Sequence, residues 1–118
     1  MEIRTFVDII AWQKAHRFVP EIYKLTKKFP KEELFSLTSQ PKRSSISIPA
    51  NIAEGYKRRG NKDSRHFYNI SEASLEESKY YLILAKDLKY INETEFKDVF
   101  EKANETGRIL NGWKKSQK

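Results

Sequence analysis

The sequence predicts an all-α fold, an up-down-up-down four-helix bundle in which residues 1–118 form a single domain. Two observations predict it. Apolar residues recur every three or four positions through most of the chain, which is the period of an amphipathic helix, and no two segments have the character of partner strands. The connections between the four periodic segments are short, which favours antiparallel packing of neighbouring helices.

The first helix is expected to open after Asp8, a residue type that caps helix N-termini, and to stop at Phe29-Pro30. Pro20 lies inside the pattern and is expected to bend the helix, because a proline removes a backbone donor. The apolar face predicted for this helix consists of Trp12, Ala15, Val19 and Ile22, widened by Phe18, Leu25 and Phe29.

The second helix is expected to begin near Glu32 and to be broken or kinked near Pro41 and Pro49, where each proline also crowds the carbonyl four residues earlier. Its final turns contain the stretch SIPANIAEG at 47–55, in which Gly55 is expected to start the C-terminal exit. A phosphate-binding loop is disfavoured here, because neither of the two glycine-rich phosphate motifs is present. The charged loop KRRGNK follows.

The last two helices show the helical period most clearly. The third is predicted over about residues 62–91, with Asn61 or Asp63 as its N-cap. Its predicted face consists of Phe67, Ile70, Ser74, Glu77, Tyr81, Leu84, Leu88 and Ile91. In the fourth helix, Asn92 and Glu95 have the spacing of a capping box. The predicted face of the fourth helix consists of Phe96, Val99, Ala103, Thr106, Leu110 and Trp113.

The charge of the chain is distributed unevenly. Its net charge is +7, and residues 1–65 carry 14 Lys and Arg against 7 Asp and Glu, whereas residues 66–118 carry nine of each. Such asymmetry suggests a polyanionic partner, usually nucleic acid. The absence of cysteine excludes disulfides and thiolate metal sites and fits a reducing compartment. Without a signal-peptide or membrane-spanning run, we expect a soluble, cytoplasmic protein.

In a bundle of this topology the N-terminus, the second connection and the C-terminus share one end, which we call the basic pole. The cations predicted to gather there are Lys57, Arg58, Arg59, Lys62, Arg65, Lys114, Lys115 and Lys118. Cations at this density can neutralise backbone phosphates, without sequence specificity. Tyr56 and Tyr68 flank the pole and are candidates for stacking on unpaired bases, the alternative being that they pack in the core.

A second group of polar residues lies on the second and third helices, at comparable distances from the loop that joins them. We predict that it forms a structural polar network consisting of Asn51, Glu54, Ser74 and Glu77, with Arg43 as a candidate counter-ion. The alternatives are that Glu54 and Glu77 form a general acid-base pair or begin a metal site. Neither histidine has the Glu-x-x-His spacing of di-metal bundles, so we expect no metal, no cofactor and no enzymatic activity.

Four stretches of the chain carry a resemblance to a known family. They are WQKA at 12–15, IYKLTKKFP at 22–30, TSQPKRSSISIPANIAEG at 38–55 and SLEE at 74–77. They resemble the 23S rRNA intervening-sequence protein family, also labelled four-helix bundle protein and, earlier, ribosomal protein. Two residues depart from the pattern: Pro41 stands where an aliphatic residue is usual, and Ala73 where glycine is common.

The resemblance implies a bacterial four-helix bundle that assembles into a ring-shaped homopentamer, and it suggests RNA binding. It also implies an alternative. The related accessory variability protein of diversity-generating retroelements binds both nucleic acid and a reverse transcriptase, so a ring of this kind can act as a protein-binding scaffold. We therefore expect a non-enzymatic homo-oligomer that binds RNA or other nucleic acid through its basic pole, the alternative being an adaptor for a protein partner.

Overall fold

A computed structural model describes residues 2–117 and contains four helices and, over those residues, no strand. The helices are α1 (Ile10–Thr26), α2 (Ser39–Lys57), α3 (Asn61–Asp87) and α4 (Glu93–Ser116), and short 3₁₀ turns lie at Phe6–Asp8 and Lys31–Glu33. Each helix packs against its neighbours in the chain, and α4 also packs against α1, so that the four helices enclose one core. The all-α four-helix bundle is confirmed.

Contacts between adjacent helices show that they run antiparallel. Ion pairs join Glu21 to Lys102 and Lys14 to Glu105, so α1 and α4 run in opposite directions. Between α2 and α3, the Ser44 hydroxyl meets that of Ser78, whereas Gly55 lies against Tyr68. Between α3 and α4, Glu72 pairs with Lys114, whereas Lys79 lies over the Phe100 ring, so these two helices are antiparallel as well. The three antiparallel pairs together give the expected up-down-up-down order, which sets which loops share an end.

The start of α1 differs from the prediction. The residue before α1 is Ile9, which makes no side-chain cap. Asp8 instead completes a capping box with Thr5 around the preceding 3₁₀ turn, where its carboxylate accepts hydrogen bonds from the N–H groups of Arg4 and Thr5. The prediction that Asp8 is the N-cap of the first helix is therefore wrong, because a 3₁₀ turn precedes α1 and uses the Asp8 carboxylate at the third position of its own capping box.

The second helix begins later than predicted. Residues near Glu32 form a 3₁₀ turn, and α2 starts at Ser39. Pro41 lies in the first turn, where the missing N–H has no intrahelical partner to lose. The helices run unbroken through Pro20 and Pro49, which excludes a break at Pro49 and leaves the alternative of a kink there. A bend at these two residues stays a prediction.

The buried face of α3 is displaced by one residue from the predicted face. It steps by four and three residues and consists of Ser64, Tyr68, Ser71, Leu75, Ser78, Leu82 and Ala85. Of the predicted positions within the helix, Ser74 alone is buried, and Leu88 is exposed. Because serines 71 and 78 fill core positions, the apolar pattern indicated the flanking, half-buried stripe instead of the core.

The ends of α3 also differ from the prediction. Gly60 occupies the N-cap position, in place of Asn61 or Asp63, and the helix ends at Asp87. Lys89 then adopts a left-handed conformation (φ 66°). Its N–H donates to the carbonyl of Lys86, and that of Tyr90 to the carbonyl of Ala85. This pair of hydrogen bonds is a Schellman motif, which usually has glycine at the left-handed position.

Of the four helices, α4 agrees most closely with its prediction. Asn92 accepts a hydrogen bond from the N–H of Glu95, and the Glu95 carboxylate accepts from the N–H of Asn92. The residues buried on α4 are Val99, Ala103, Thr106 and Leu110, all of them on the predicted face. Phe96 and Trp113, at the two ends of that face, are half-buried and pack against the core.

Candidate nucleic-acid interface

The structure brings together the three parts of the chain that the topology assigns to the basic pole. The guanidinium of Arg65, on the first turns of α3, donates to the carbonyl of Gln117 at 3.2 Å, which joins the α2–α3 connection to the C-terminal end of α4. Arg4 and Lys57 line a common cleft, which places the N-terminal segment beside the end of α2. The predicted cations therefore lie at one end of the molecule, except Lys118, which lies outside the described residues.

Two cations of the basic pole are engaged by carboxylates. Arg58 lies 3.5 Å from Glu54 and 3.9 Å from Asp63, and its guanidinium stacks over the Phe67 ring at 4.3 Å. The Lys114 ammonium lies 2.7 Å from Glu72 and is only partly exposed. Part of the charge of these two side chains is already compensated, so they are poorer phosphate ligands than the sequence implied.

The remaining cations of the basic pole are exposed and lack carboxylate partners within the described residues. Among residues 2–117, no carboxylate lies within 4.0 Å of any of five exposed side chains: Lys57, Arg59, Lys62, Arg65 and Lys115. Arg4 joins them. Its only carboxylate partner in the same range is Glu2 at 3.5 Å, in a pair whose side chains are both at least 75% exposed. Exposed pairs of this kind contribute little, so the charge of Arg4 remains available to an anion.

Whereas the basic pole carries eight cations within residues 2–117, the opposite end of the bundle carries six cations and five carboxylates. Its cations are Lys24, Lys27, Lys28, Lys31, Lys86 and Lys89, and its carboxylates are Glu32, Glu33, Asp87, Glu93 and Glu95. Lys28 pairs with Glu95, and Lys86 lies over the Phe96 ring at 4.4 Å. The positive excess is thus larger at the basic pole than at the opposite end.

The two tyrosines predicted to stack on bases have different surroundings. Tyr68 is 2% exposed and lies beneath Gly55, with the Trp113 ring at 6.3 Å. Its burial raises the pKa of the Tyr68 phenol. A ring enclosed in this way cannot stack on a base, so the prediction for Tyr68 is wrong. Tyr56 is half-buried at the surface and keeps one side accessible.

A surface cleft of about 430 Å³ lies between the N-terminal segment and α2. It is lined by Arg4, Thr5, Phe6, Ala50, Ala53, Glu54, Tyr56 and Lys57. The sequence indicated Tyr56 and Lys57 but neither Arg4 nor Phe6, although the topology placed the N-terminus at this pole. We call this feature the N-terminal cleft.

The predicted polar network is divided into two separate clusters. In the first, the Asn51 amide donates to the carbonyl and hydroxyl of Ser47, and the Ser74 hydroxyl donates to the same Ser47 hydroxyl at 2.9 Å. In the second, the Glu77 carboxylate accepts from Arg43 at 3.3 Å and from the Tyr81 hydroxyl at 2.6 Å. The bond to Glu77 raises the pKa of the Tyr81 phenol.

Glu54 belongs to neither cluster. Its side chain is 57% exposed and pairs with Arg58, one turn further along α2. The prediction that Glu54 joins the network is therefore wrong: a residue at this position of α2 lies on the outer side, toward the N-terminal cleft. Glu54 and Glu77 each bind a different arginine, an arrangement that does not resemble an acid-base pair. Within residues 2–117, no three His, Asp or Glu side chains come together as metal ligands would.

Buried hydroxyl groups between α2 and α3 were not predicted as a group. The Ser44 and Ser78 hydroxyls lie 2.7 Å apart, and Ser71 donates to the carbonyl of Ile48 at 2.7 Å. Their positions follow the helical period of the apolar residues, which was the signal that could have identified them. They are small enough for the two backbones to approach closely.

Comparisons with known proteins agree with this architecture and with the sequence motifs. The sequence profile of the 23S rRNA-intervening sequence proteins matches residues 7–112. The chain belongs to this family. A crystal structure of a protein of unknown function from the S23 ribosomal protein family of Bacteroides thetaiotaomicron is similar to it, with a TM-score of 0.81 and 25% sequence identity over 89% of this chain and 98% of that one.

A search of curated proteins found no match. The family assignment therefore rests on the profile and the solved structure. No helix within residues 2–117 is both long and apolar enough to cross a membrane.

Proposed function

We propose that this member of the 23S rRNA-intervening sequence family is a non-enzymatic, cytoplasmic homo-oligomer that binds RNA through its basic pole. The observation that carries the proposal is the group of exposed cations at that pole without carboxylate partners among residues 2–117, in contrast to an opposite pole where six cations meet five carboxylates. Phosphates release counterions on binding such a surface, which gives an affinity that falls steeply with salt.

Self-association is the second part of the proposal. Several large apolar side chains are exposed on this chain, among them Phe35 at 88%, Tyr80 at 57% and Leu34 at 52%. Leu34 and Phe35 are adjacent in the chain, and contiguous exposed apolar surface favours contact with another protein. A homopentamer, as the family resemblance implies, would cover some of them and would present five basic poles to one RNA.

The RNA-binding proposal is tested with charge-matched variants. Lys62→Ala/Lys115→Ala removes two exposed lysines from the basic pole, and Lys27→Ala/Lys31→Ala removes two from the opposite pole. We expect the first variant alone to bind RNA more weakly, with a salt slope lower by about 0.7–0.9 for each phosphate that the variant no longer neutralises. The measurement is fluorescence anisotropy of labelled RNA over a salt series.

The same experiment can contradict the proposal in two ways. Equal losses of affinity in the two variants would mean that bulk charge, and not the pole, attracts RNA. If the wild-type protein did not bind RNA at physiological salt, the proposal would be wrong.

The second candidate function is a scaffold for a protein partner, and the exposed apolar side chains favour it as well. Light scattering coupled to gel filtration separates the two uses of that surface. A pentamer would indicate that the exposed apolar side chains mediate self-association. A monomer at micromolar concentration would instead favour their use in binding another protein.

A further inference from the structure

The N-terminal cleft differs from the rest of the basic pole because it combines charge with an aromatic and aliphatic lining. We propose that it accommodates one unpaired base of a bound single strand, while Arg4 and Lys57 contact the flanking phosphates. This inference rests on the proposed function, since it specifies which form of nucleic acid the basic pole selects.

The N-terminal side of the cleft is held in place by local hydrogen bonds. The Asp8 carboxylate accepts from the N–H of Arg4 at 2.9 Å and from that of Thr5 at 3.1 Å, and these bonds lower the pKa of Asp8. The Phe6 ring packs edge-on against Trp12, with 5.1 Å between centroids, and Trp12 stacks on His16. The segment is thus attached to α1, and its position does not depend on a ligand.

The α2 side of the cleft is open because its side chains are small. Ala50 and Ala53 lie one turn apart on α2, and Tyr56 follows on the same side, with its ring packed partly against the core. The volume of the cleft, about 430 Å³, is similar to that of other surface grooves of the chain, so the cleft is distinguished by its lining and not by its size. A planar base can enter beside the Tyr56 and Phe6 rings, whose aromatic surfaces favour stacking.

The charges around the cleft favour a particular orientation of the nucleotide. Lys57 has no carboxylate within 4.0 Å among residues 2–117, and Arg4 has only the exposed Glu2, so both cations can bind phosphate. Glu54 also lines the cleft, and its carboxylate repels phosphate but accepts hydrogen bonds from the amino group of a base. The base therefore faces α2, and the sugar-phosphate backbone of the strand lies along Arg4 and Lys57.

This arrangement selects single strands over duplexes. Bases within a duplex are stacked and paired, so they cannot enter a cleft without the cost of extrusion. The exposed cations of the basic pole, in contrast, can bind the phosphates of either form. The N-terminal cleft is thus the part of the pole that distinguishes unpaired from paired nucleic acid.

The test compares two strands of equal charge, a short oligocytidine RNA and an abasic ribose-phosphate strand of the same length. Stacking of one base contributes about 1–3 kcal/mol, so we expect the full-length wild-type protein to bind the oligocytidine about 5- to 150-fold more tightly. Ala53→Leu fills the cleft and removes no charge, so in this variant the ratio of the two affinities should fall to about one. The matched control, Ala73→Leu at an exposed position of α3, should retain the wild-type ratio.

A second variant and a fluorescence signal keep the test valid if Ala53→Leu fails to fold. Tyr56→Ala removes the ring without filling the cleft and should also lower the ratio. In a Trp113→Phe background, Trp12 is the one remaining tryptophan of the sequence, and its emission should respond to oligocytidine and not to the abasic strand.

The outcomes separate the two proposals. Equal, measurable affinity of the wild-type protein for both strands would overturn the cleft and leave the RNA-binding pole standing. An unchanged ratio in Ala53→Leu would overturn the cleft as well. Binding of neither strand would overturn the proposed function together with the cleft.

Discussion

At the scale of single residues, Gly55 determines how closely α2 and α3 approach. A Cβ at this position would lie 2.5 Å from Cε1 and 2.9 Å from Cδ1 of Tyr68, and 3.0 Å from the carbonyl oxygen of Ser64. The tyrosine ring is buried and the carbonyl belongs to a helix, so neither can move aside at low cost. Glycine is required here by space, since its conformation is helical.

Gly55→Ala is expected to destabilise the protein. Overpacking costs about 1–3 kcal/mol, which exceeds the gain in helix propensity of about 1 kcal/mol. The matched control is Gly112→Ala on α4, where an added Cβ would meet no atom within 4 Å. This control should stabilise the protein by about 0.5–1 kcal/mol. Urea unfolding measures both changes, and destabilisation of equal size in the two variants would contradict the packing argument.

At the scale of secondary structure, α2 and α3 are joined by buried hydroxyl groups. The hydroxyls of Ser44 and Ser78 lie within hydrogen-bond distance of each other. Each also lies within reach of a carbonyl of its own helix: Ser44 can donate to that of Pro41, and Ser78 to that of Ser74. Each hydroxyl has one hydrogen, so two hydrogens serve three contacts. The two side chains are therefore energetically coupled across the interface.

A double-mutant cycle tests this coupling. Ser44→Ala and Ser78→Ala should each destabilise the protein, because each leaves a buried hydroxyl short of a partner. The double variant should cost less than the two single changes together, by about 0.5–1.5 kcal/mol. As a control, Ser45 is buried, and within residues 2–117 its hydroxyl bonds only to the carbonyl of Lys42, so its cycle with Ser78 should be additive. Additivity in both cycles would show that the Ser44–Ser78 contact is unimportant.

The comparison of α3 and α4 shows which parts of the fold the sequence could predict. The buried face of α4 is mainly aliphatic, and periodicity identified it correctly. On α3, Ser71 and Ser78 occupy the core, so the apolar residues beside them predicted a face one residue away. Periodicity detects apolar surface and not burial, and the two differ wherever a helix interface is lined by small hydroxyls.

The candidate site was predictable to the extent that topology determines it. Short connections between antiparallel helices bring the KRRGNK loop and the C-terminal lysines to one end, and no side-chain detail is needed for that inference. The pairing of Arg58 with Glu54 has the i, i+4 spacing of helix ion pairs, so it too could be predicted from the sequence. The cleft formed by Arg4 and Phe6 depends on how a 3₁₀ turn docks on α2. Local patterns do not contain that information.

At the scale of the whole molecule, the tyrosines link stability to alkaline pH. A hydrogen bond to Glu77 raises the pKa of Tyr81, a bond to Glu33 raises that of Tyr90, and burial raises that of Tyr68. The folded protein thus holds these phenolic protons more tightly than the unfolded chain does. Their contribution is complete below the ordinary tyrosine pKa of about 10 and is lost as the pH rises through the higher folded values.

We expect the unfolding free energy to fall above about pH 10, and to fall less steeply in Tyr81→Phe, which has no phenolic proton to lose at this position. The adjacent Tyr80 is exposed, and its hydroxyl makes no hydrogen bond within residues 2–117, so Tyr80→Phe is the control. Urea unfolding at pH 8 and at alkaline pH gives the slopes. Parallel curves for wild type and Tyr81→Phe would refute the linkage.

The serine-lined contact between α2 and α3 has a consequence for temperature. Unfolding raises the heat capacity through exposed apolar surface and lowers it through exposed polar surface. The buried face of α3 contributes hydroxyls at Ser71, Ser74 and Ser78, where α4 contributes mostly aliphatic carbon. The heat-capacity change of unfolding should therefore be slightly smaller than it would be with aliphatic residues at these three positions. A smaller heat-capacity change gives a flatter stability curve, so these serines make the stability of the bundle depend less on temperature than aliphatic residues would.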